Sequence, residues 1–369
     1  MKYKKKDLVI PTIKVVSSGC NLRCKYCYYH HCYDQSNRMI MSDKTLENLI
    51  KKTVDFVNKD RVDFIWHGGE PLLAGIPFYK KVIEIQEGIK TRKKIVNKIQ
   101  TNSTLLTKEW VNFFAKQNFS VGVSIDGPKD IHDKCRVFPS GKGSYEYVRR
   151  GISLLHSVGI YPTALAMITS YSLDRVEDIF DYFVENLGSF HLKPCYELDP
   201  VSGKLAEFSV DPEKYVDFMI KIFDLWFKKD DYKIKIRSLS QIIHAMVKTN
   251  NVSLCEFSGE CPLFCTIESD GSVGPCDSFP IRKYYYGNIN EMNWHDMLNS
   301  EGYNNFVADL EKNREECKSC KWYYVCHGGC AQYSYSVITN SWHRNKFCEA
   351  KKRLFEHIYS RVMPLLAHF

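Results

Sequence analysis

Through the first two thirds of the chain, short runs of apolar and β-branched residues alternate with longer stretches whose apolar positions recur at helical spacing. The runs at 12–17, 61–66, 95–101, 120–125, 161–168 and 189–194 predict strands. The patterns near 43–58, 77–90, 107–117, 145–158, 174–187 and 212–228 predict amphipathic helices. Strands separated by helices imply βαβ units and a mostly parallel α/β sheet. Six such units predict a partial (β/α)6 barrel of TIM type, not a closed barrel of eight. Chemistry in parallel sheets gathers where strands end, so the residues just past each run are the candidates.

The alternation fails after about residue 230. A strand and a helix are expected over 233–248. From Cys255 onward come short strands, turns such as Asp270-Gly271 and closely spaced cysteines, with one more helix near 344–360. So little regular structure buries too little apolar surface to stand alone, which predicts a metal staple. The expected organisation is a core over 1–230, a bridging segment over 231–254 and a small cysteine-rich domain over 255–369.

Of the 369 residues, 44% are hydrophobic and 25% charged, a balance that excludes disorder, collagen-like repeats and coiled coil. A Lys-rich solvated surface accounts for the net charge of +8, and no basic–aromatic stripe stands out, so no nucleic-acid partner is expected. Pro11 and Lys14 break the apolar stretch near the start of the sequence, and no run reaches the roughly 18 apolar residues of a membrane span. A cytoplasmic location is expected, with no membrane partner. The 15 cysteines are bunched, which in a reducing compartment points to metal more than to disulfides.

The first bunch is Cys20, Cys24 and Cys27, a CxxxCxxC loop past the first strand. Three close thiolates suit an iron–sulfur cube with one iron left for a small molecule to chelate. Zinc would want a fourth ligand, and His30, His31 and Cys32 stand nearby. Past the second strand comes His67-Gly68-Gly69-Glu70-Pro71, where two glycines admit a ligand to the backbone and Glu70 offers a carboxylate to an ammonium. Gln100-Thr101-Asn102 and Ser124-Ile125-Asp126-Gly127-Pro128 follow the third and fourth strands.

In this order and at these strand ends, the cysteine loop with Tyr26 before its last cysteine, the GGEP segment, QTN and S-x-D-G-P resemble the radical S-adenosylmethionine (SAM) enzymes. The resemblance implies a 4Fe–4S cluster on Cys20, Cys24 and Cys27. It also implies SAM contacts from Tyr26, His67, Gly68, Gly69, Glu70, Gln100, Asn102, Ser124 and Asp126. Farther on, Cys261-x9-Gly271-x4-Cys276, Cys317-x2-Cys320-x5-Cys326-x3-Cys330 and Cys348 resemble the SPASM extension of that family, with Cys255 preceding. This implies two auxiliary 4Fe–4S clusters with interleaved ligands, three clusters in all. Cys255, Cys261, Cys276 and Cys330 fall to the first auxiliary cluster, and Cys317, Cys320, Cys326 and Cys348 to the second. Paired zinc ribbons are the alternative for these spacings. Cys32, Cys135, Cys195 and Cys265 remain, expected as small buried hydrophobes.

The family splits SAM to a 5′-deoxyadenosyl radical that removes hydrogen from an unactivated carbon. Its SPASM members mostly modify peptides or proteins, so a peptide or protein substrate and a flavodoxin- or ferredoxin-type reductant are the expected partners. Asp277, directly after Cys276, matches a carboxylate base of sulfatase-maturating relatives, and Tyr29 matches an active-site aromatic of theirs. Two readings follow. A maturase of ribosomally made peptides would oxidise or cross-link a side-chain carbon. An anaerobic sulfatase-maturating enzyme would convert Cys or Ser to formylglycine. HGGEPLLAG, where sulfatase maturases typically have QGGEPT, and the segment ending GKGSYEYVRRGISLL favour the first. A cluster-bearing electron carrier is the non-enzymatic alternative, although a carrier needs neither an open iron nor a SAM cradle. Arg136, Arg149 and Arg150, near the expected barrel mouth, offer positive charge to an acidic leader peptide.

Overall fold

Alternate residues of a strand face opposite sides of its sheet, and the early strands use this to separate a greasy face from a polar one. In β2 (Arg61–His67), Val62, Phe64 and Trp66 are buried while Asp63, Ile65 and His67 are partly exposed. Residues 163–168 and 189–194 repeat the pattern as β5 (Thr163–Ile168) and β6 (Ser189–Pro194). The buried side packs on helices. In α1 (Asp43–Phe56), Ser42 caps the first turn by accepting from the Thr45 amide, and Leu46, Leu49, Ile50, Thr53 and Val54 form its buried stripe. In α2 (Gly75–Glu87), Tyr79 and Val82 pack inward, joined by Val111 and Phe114 of α3 (Lys108–Lys116).

The computed structural model describes residues 8–29, 39–199, 202–249 and 251–366. Cys32, with His30 and His31, lies outside the described residues. β1 (Ile10–Lys14), β2, β3 (Lys94–Thr101), β4 (Ser120–Ser124), β5 and β6 are parallel neighbours in sequence order. The register sets Lys14 opposite His67, Thr101 opposite Val123, and Ile168 opposite Pro194, so the strand ends lie level at one mouth. The chain is therefore mixed α/β with a parallel core and a partial barrel. A two-residue β7 (Lys235–Ile236) extends the sheet beyond β6. Among the described residues no helix is long and apolar enough to cross a membrane.

The cysteine-rich part does not stand beside this sheet but continues it. β8 (Phe264–Ile267) runs parallel to β1, with Ile10 opposite Phe264 and Ile13 opposite Ile267. β9 (Ser272–Gly274) and β10 (Gly287–Asn288) follow antiparallel, giving ten strands in one sheet. At the far end, Arg353 in a helix over Cys348–Leu366 pairs with Glu213 (2.6 Å) and Asp217 (2.5 Å) of the helix over Pro212–Lys229.

At the β1–β8 seam, Lys14 has no exposed surface and its Nζ donates to Glu268 Oε1 at 2.9 Å. The Tyr285 hydroxyl donates to the same oxygen at 2.9 Å. A buried pair gains little over an apolar replacement, but breaking it strands a charge. Lys14→Met or Glu268→Leu alone should therefore cost about 3–5 kcal/mol of unfolding free energy, with Lys14→Met/Glu268→Leu recovering most of it. Chemical denaturation of the three variants checks this; strictly additive losses would contradict the pairing.

Candidate active site

After β1 the chain turns back with Ser17 at φ 54° and enters the cysteine loop. Two amides pin that loop to the end of a helix over Lys129–Cys135: Arg23 N–H donates to Val137 O at 2.7 Å and Lys25 N–H to Cys135 O at 2.9 Å. Cys20 Sγ accepts from the Leu22 amide (3.3 Å) and the Asn102 side chain (3.7 Å), donors that suit a thiolate. Burial pushes the Cys20 and Cys24 thiols up to about 12, so a bound metal must displace their protons. Among the described residues no group of three Cys, His, Asp or Glu side chains is already placed around a single ion. The donors and the spacing fit an iron–sulfur cube.

The GGEP segment is clamped to this loop. Gly69 has φ 52°, and a Cβ there would lie 2.1 Å from Gly19 O; at Gly68 (φ 77°) it would lie 2.4 Å from Lys14 Cγ. Only glycine fits either position. The next amide, Glu70 N–H, donates to Gly19 O at 2.8 Å. Glu70, for which the resemblance implies a SAM contact, stands at the exits of β2 and β3. It is fully buried and accepts from the Leu72 amide (3.1 Å), Thr101 Oγ1 (2.7 Å) and the Asn102 amide (2.7 Å). Burial pushes its carboxyl up to about 7 against those donors. Glu70 is a brace between the exits of β2 and β3, and His67 and Gly69 are the partly exposed members of the segment.

Gln100 lies over Gly122, where a Cβ would meet its Oε1 at 2.2 Å, and donates to Ser124 Oγ at 3.0 Å. Asn102 reaches Asn21 Oδ1 (2.9 Å) as well as Cys20. Asp126, expected near the SAM ribose or methionine, is 2% exposed and also turned inward. Its Oδ2 accepts from the Tyr26 hydroxyl (2.5 Å) and Arg136 Nε (3.0 Å), and its Oδ1 from the Met167 amide (3.0 Å). Burial, with Asp126 beside it, raises the Tyr26 hydroxyl well above the ordinary tyrosine value. Arg136 is thus no surface charge for a leader peptide. Arg149 donates to Asn186 Oδ1 (2.6 Å) and the exposed Arg150 to Thr104 O (3.2 Å).

Across the mouth, the segment after β9 delivers Asp277 to the barrel. Its Oδ2 accepts from Tyr28 (2.6 Å) and Tyr29 (3.2 Å), with His67 Nδ1 at 3.5 Å. Lys14 Nζ lies 5.0 Å from the Tyr29 ring centre. Burial alone would raise the Asp277 carboxyl, but His67, Lys14, the Tyr28 hydrogen bond and Lys193 outweigh it and hold it at about 2. Burial lowers the His67 ring below its ordinary value, against the pull of Asp277. The carboxylate thus gathers two tyrosine hydroxyls and an imidazole at the barrel mouth. Sequence reasoning named Tyr29, Asp277 and His67 but missed Tyr28, the closer hydroxyl. It read Lys14 only as an interruption of an apolar run, although a lone lysine among β-branched residues is itself the signal of a buried partner.

The remaining cysteines form two groups. Cys255, Cys261, Cys276 and Cys330 lie within electrostatic reach of one another. Cys317, Cys320, Cys326 and Cys348 line one cavity of about 550 Å³. Buried Arg314 spans the two by donating to Gly329 O at 2.8 Å, and a Cβ at Gly328 (φ 84°) would strike its Cγ at 2.6 Å. Cys135, Cys195 and Cys265 are buried in packing.

A family model for the radical SAM superfamily matches residues 15–183, and one for the SPASM iron–sulfur cluster-binding domain matches 252–321. The cysteine-type anaerobic sulfatase-maturating enzyme of Clostridium perfringens (strain 13) is 33% identical over 95% of this chain and 96% of its own length. The serine-type anaerobic sulfatase-maturating enzyme of Bacteroides thetaiotaomicron is 32% identical over 94% and 88%. A solved structure described as native anSMEcpe with bound AdoMet and Cp18Cys peptide superposes with a TM-score of 0.87 at 31% identity, covering 98% of this chain and 100% of that one.

If Asp126 is a brace, Asp126→Asn must weaken the protein before any ligand is added, because Arg136 keeps a buried charge with less to balance it. The expected loss is about 2–4 kcal/mol in the cluster-free, SAM-free chain, read by denaturant unfolding. A variant as stable as the parent would return Asp126 to the role of ligand contact.

Proposed function

The chain belongs to the radical SAM family, in the branch that carries a SPASM iron–sulfur domain, and on that premise we propose that it matures sulfatases anaerobically, oxidising a Cys or Ser side chain to formylglycine. It is a radical SAM enzyme whose cofactors are SAM and 4Fe–4S clusters, three being typical of the group. The observation that carries the finer reading is the Asp277 carboxylate, held by Tyr28 and Tyr29 at the barrel mouth in a chain that matches sulfatase-maturating enzymes along nearly its whole length. That extent of likeness reverses the preference for a peptide cross-linking maturase drawn from HGGEPLLAG. His67 stands where Gln is typical of sulfatase maturases, and it keeps a polar contact with Asp277.

Cys20, Cys24 and Cys27 would hold the SAM-binding cluster. Cys255, Cys261, Cys276 and Cys330 would hold one auxiliary cluster, and Cys317, Cys320, Cys326 and Cys348 the other. When bound, SAM and its cluster supply the one-electron chemistry that removes hydrogen from an unactivated carbon. Besides that hydrogen atom, taking a CH2–SH or CH2–OH group to the aldehyde level removes one further electron, which an auxiliary cluster would accept when bound, and the proton of the sulfur or oxygen. From Cys, water would then replace sulfur in the thioaldehyde and sulfide would leave. Among the described residues both tyrosine hydroxyls converge on Asp277 Oδ2, and Oδ1 takes no donor; Oδ1 is the atom that accepts this proton. Tyr28 and Tyr29 fix the carboxylate, and Lys14 supports the Tyr29 ring from below. The substrate is a peptide segment of a sulfatase, and a flavodoxin- or ferredoxin-type protein supplies electrons.

Incubated anaerobically with SAM, a reductant and a Cys-containing sulfatase peptide, the reconstituted protein should yield an aldehyde that hydrazine traps, seen by mass spectrometry. A new ring with two hydrogens lost and no aldehyde would overturn the reading. Asp277→Asn should lower aldehyde formation by at least about 100-fold while SAM cleavage persists. Iron analysis should give about 12 atoms per chain, falling to about 8 with loss of SAM cleavage in Cys24→Ala. A Cys24→Ala protein that still cleaves SAM would contradict the ligand assignment.

A further inference from the structure

The segment Cys326-His327-Gly328-Gly329-Cys330 carries the chain from the second auxiliary quartet to the first. Against it lies Arg314, at the end of the helix over Glu301–Asn313 and only 5% exposed. The paired glycines make room for this side chain. Gly328 and Gly329 have φ 84° and 78°, and a Cβ at Gly328 would stand 2.6 Å from Arg314 Cγ and 3.2 Å from its Cδ. Arg314 Nη2 donates to Gly329 O at 2.8 Å, next to Cys330, and the Arg314 carbonyl accepts from the Cys317 amide at 3.1 Å. One arginine is therefore fastened to the chain beside a ligand of each quartet.

Among the described residues no carboxylate forms an ion pair with this guanidinium. Lys351, which lines the cavity of the second quartet, is by contrast matched by Glu256 at 2.5 Å. A guanidinium stays charged wherever the protein folds, and burying one without a counter-ion is costly. The cysteines supply what the carboxylates do not. Burial pushes the Cys261 thiol up to about 11, and Arg314 opposes that rise. Its charge acts in the same sense, against burial, on Cys255 of the first quartet and Cys317 of the second. A cube held by four thiolates is an anion, and one-electron reduction adds a further negative charge. A fixed cation buried between two such anions favours the reduced form of each.

We propose that Arg314 is the shared counter-charge of the two auxiliary clusters and raises the reduction potential of both. The residue touches no substrate and acts through the clusters. The one electron that leaves the substrate beyond the abstracted hydrogen atom then meets a more oxidising acceptor, which is reduced by that electron. The inference rests on the ligand assignment above and not on which side chain is oxidised.

The test is an anaerobic dithionite titration of the reconstituted full chain, followed by electron paramagnetic resonance, with iron content checked at about 12 atoms per chain. Arg314→Gln, which removes the charge and keeps an amide donor, should make reduction of the auxiliary clusters at least about tenfold less favourable, about 59 mV for a one-electron couple. Arg314→Lys keeps the charge and should stay within about threefold of the parent. The SAM-binding cluster, told apart by the change that SAM makes in its signal, should shift in neither variant. Unchanged auxiliary potentials in Arg314→Gln would overturn the proposal. So would an equal fall in both variants, or a shift of all three clusters together, which marks a general loosening. If Arg314→Gln takes up less iron, Arg314→Lys decides. Full iron with parental potentials supports the shared charge, whereas iron lost from both variants assigns Arg314 to folding alone and overturns it. No peptide is present in the titration, so failure here leaves the maturation reading standing.

Discussion

A lysine without exposed surface, at the end of the first strand of a barrel, is a costly thing for a sequence to specify. Lys14 is tolerated because Glu268, 254 residues later and just past the end of β8, meets its ammonium at 2.9 Å. That contact closes the seam along which β8 lies parallel to β1, and the seam is what carries the cysteine-rich part onto the barrel. From Glu268 the chain turns through β9 and reaches Asp277, whose carboxylate then stands over the mouth within reach of Tyr28, Tyr29 and His67. Lys14 is also beneath the Tyr29 ring and against Gly68, so one buried charge sets the seam, the cradle and the position of the acid.

The same economy governs the motif residues. Glu70 and Asp126 are the acidic members of two segments that resemble ligand-binding motifs, and both spend their oxygens on the protein. Glu70 ties the exits of β2 and β3 together; Asp126 ties the cysteine loop, through Tyr26, to β5 and Arg136. A cofactor cradle assembled from loops at separate strand ends has to be held rigid by something, and buried carboxylates with several donors each are effective at that. His67, Gly69, Gln100 and Ser124 are the partly exposed residues of these segments.

Much of this was legible in the chain. The six early strands and their helices follow from periodicity, because each has one buried face and a local partner. The two cysteine quartets follow from spacing read through the family resemblance. What could not be read was long-range. FCTI at β8 is a short apolar run whose parallel partner lies far away in sequence, so no alternation announces its place beside β1. Tyr28 and Tyr29 are adjacent and chemically alike; only the path of the loop decides which hydroxyl lies closer to Asp277. The inward turn of Glu70 and Asp126 depends on donors from neighbouring strands that the motif itself does not contain.

The proposed chemistry requires the substrate β-carbon to be presented beside Asp277. Its most direct test is a substrate peptide deuterated on the β-carbon of the reactive Cys, turned over anaerobically, with the label followed into 5′-deoxyadenosine. Deuterium should appear there in step with the aldehyde. Label retained in the peptide, or hydrogen taken instead from the α-carbon, would contradict the placement of that carbon and the role given to the acid above it.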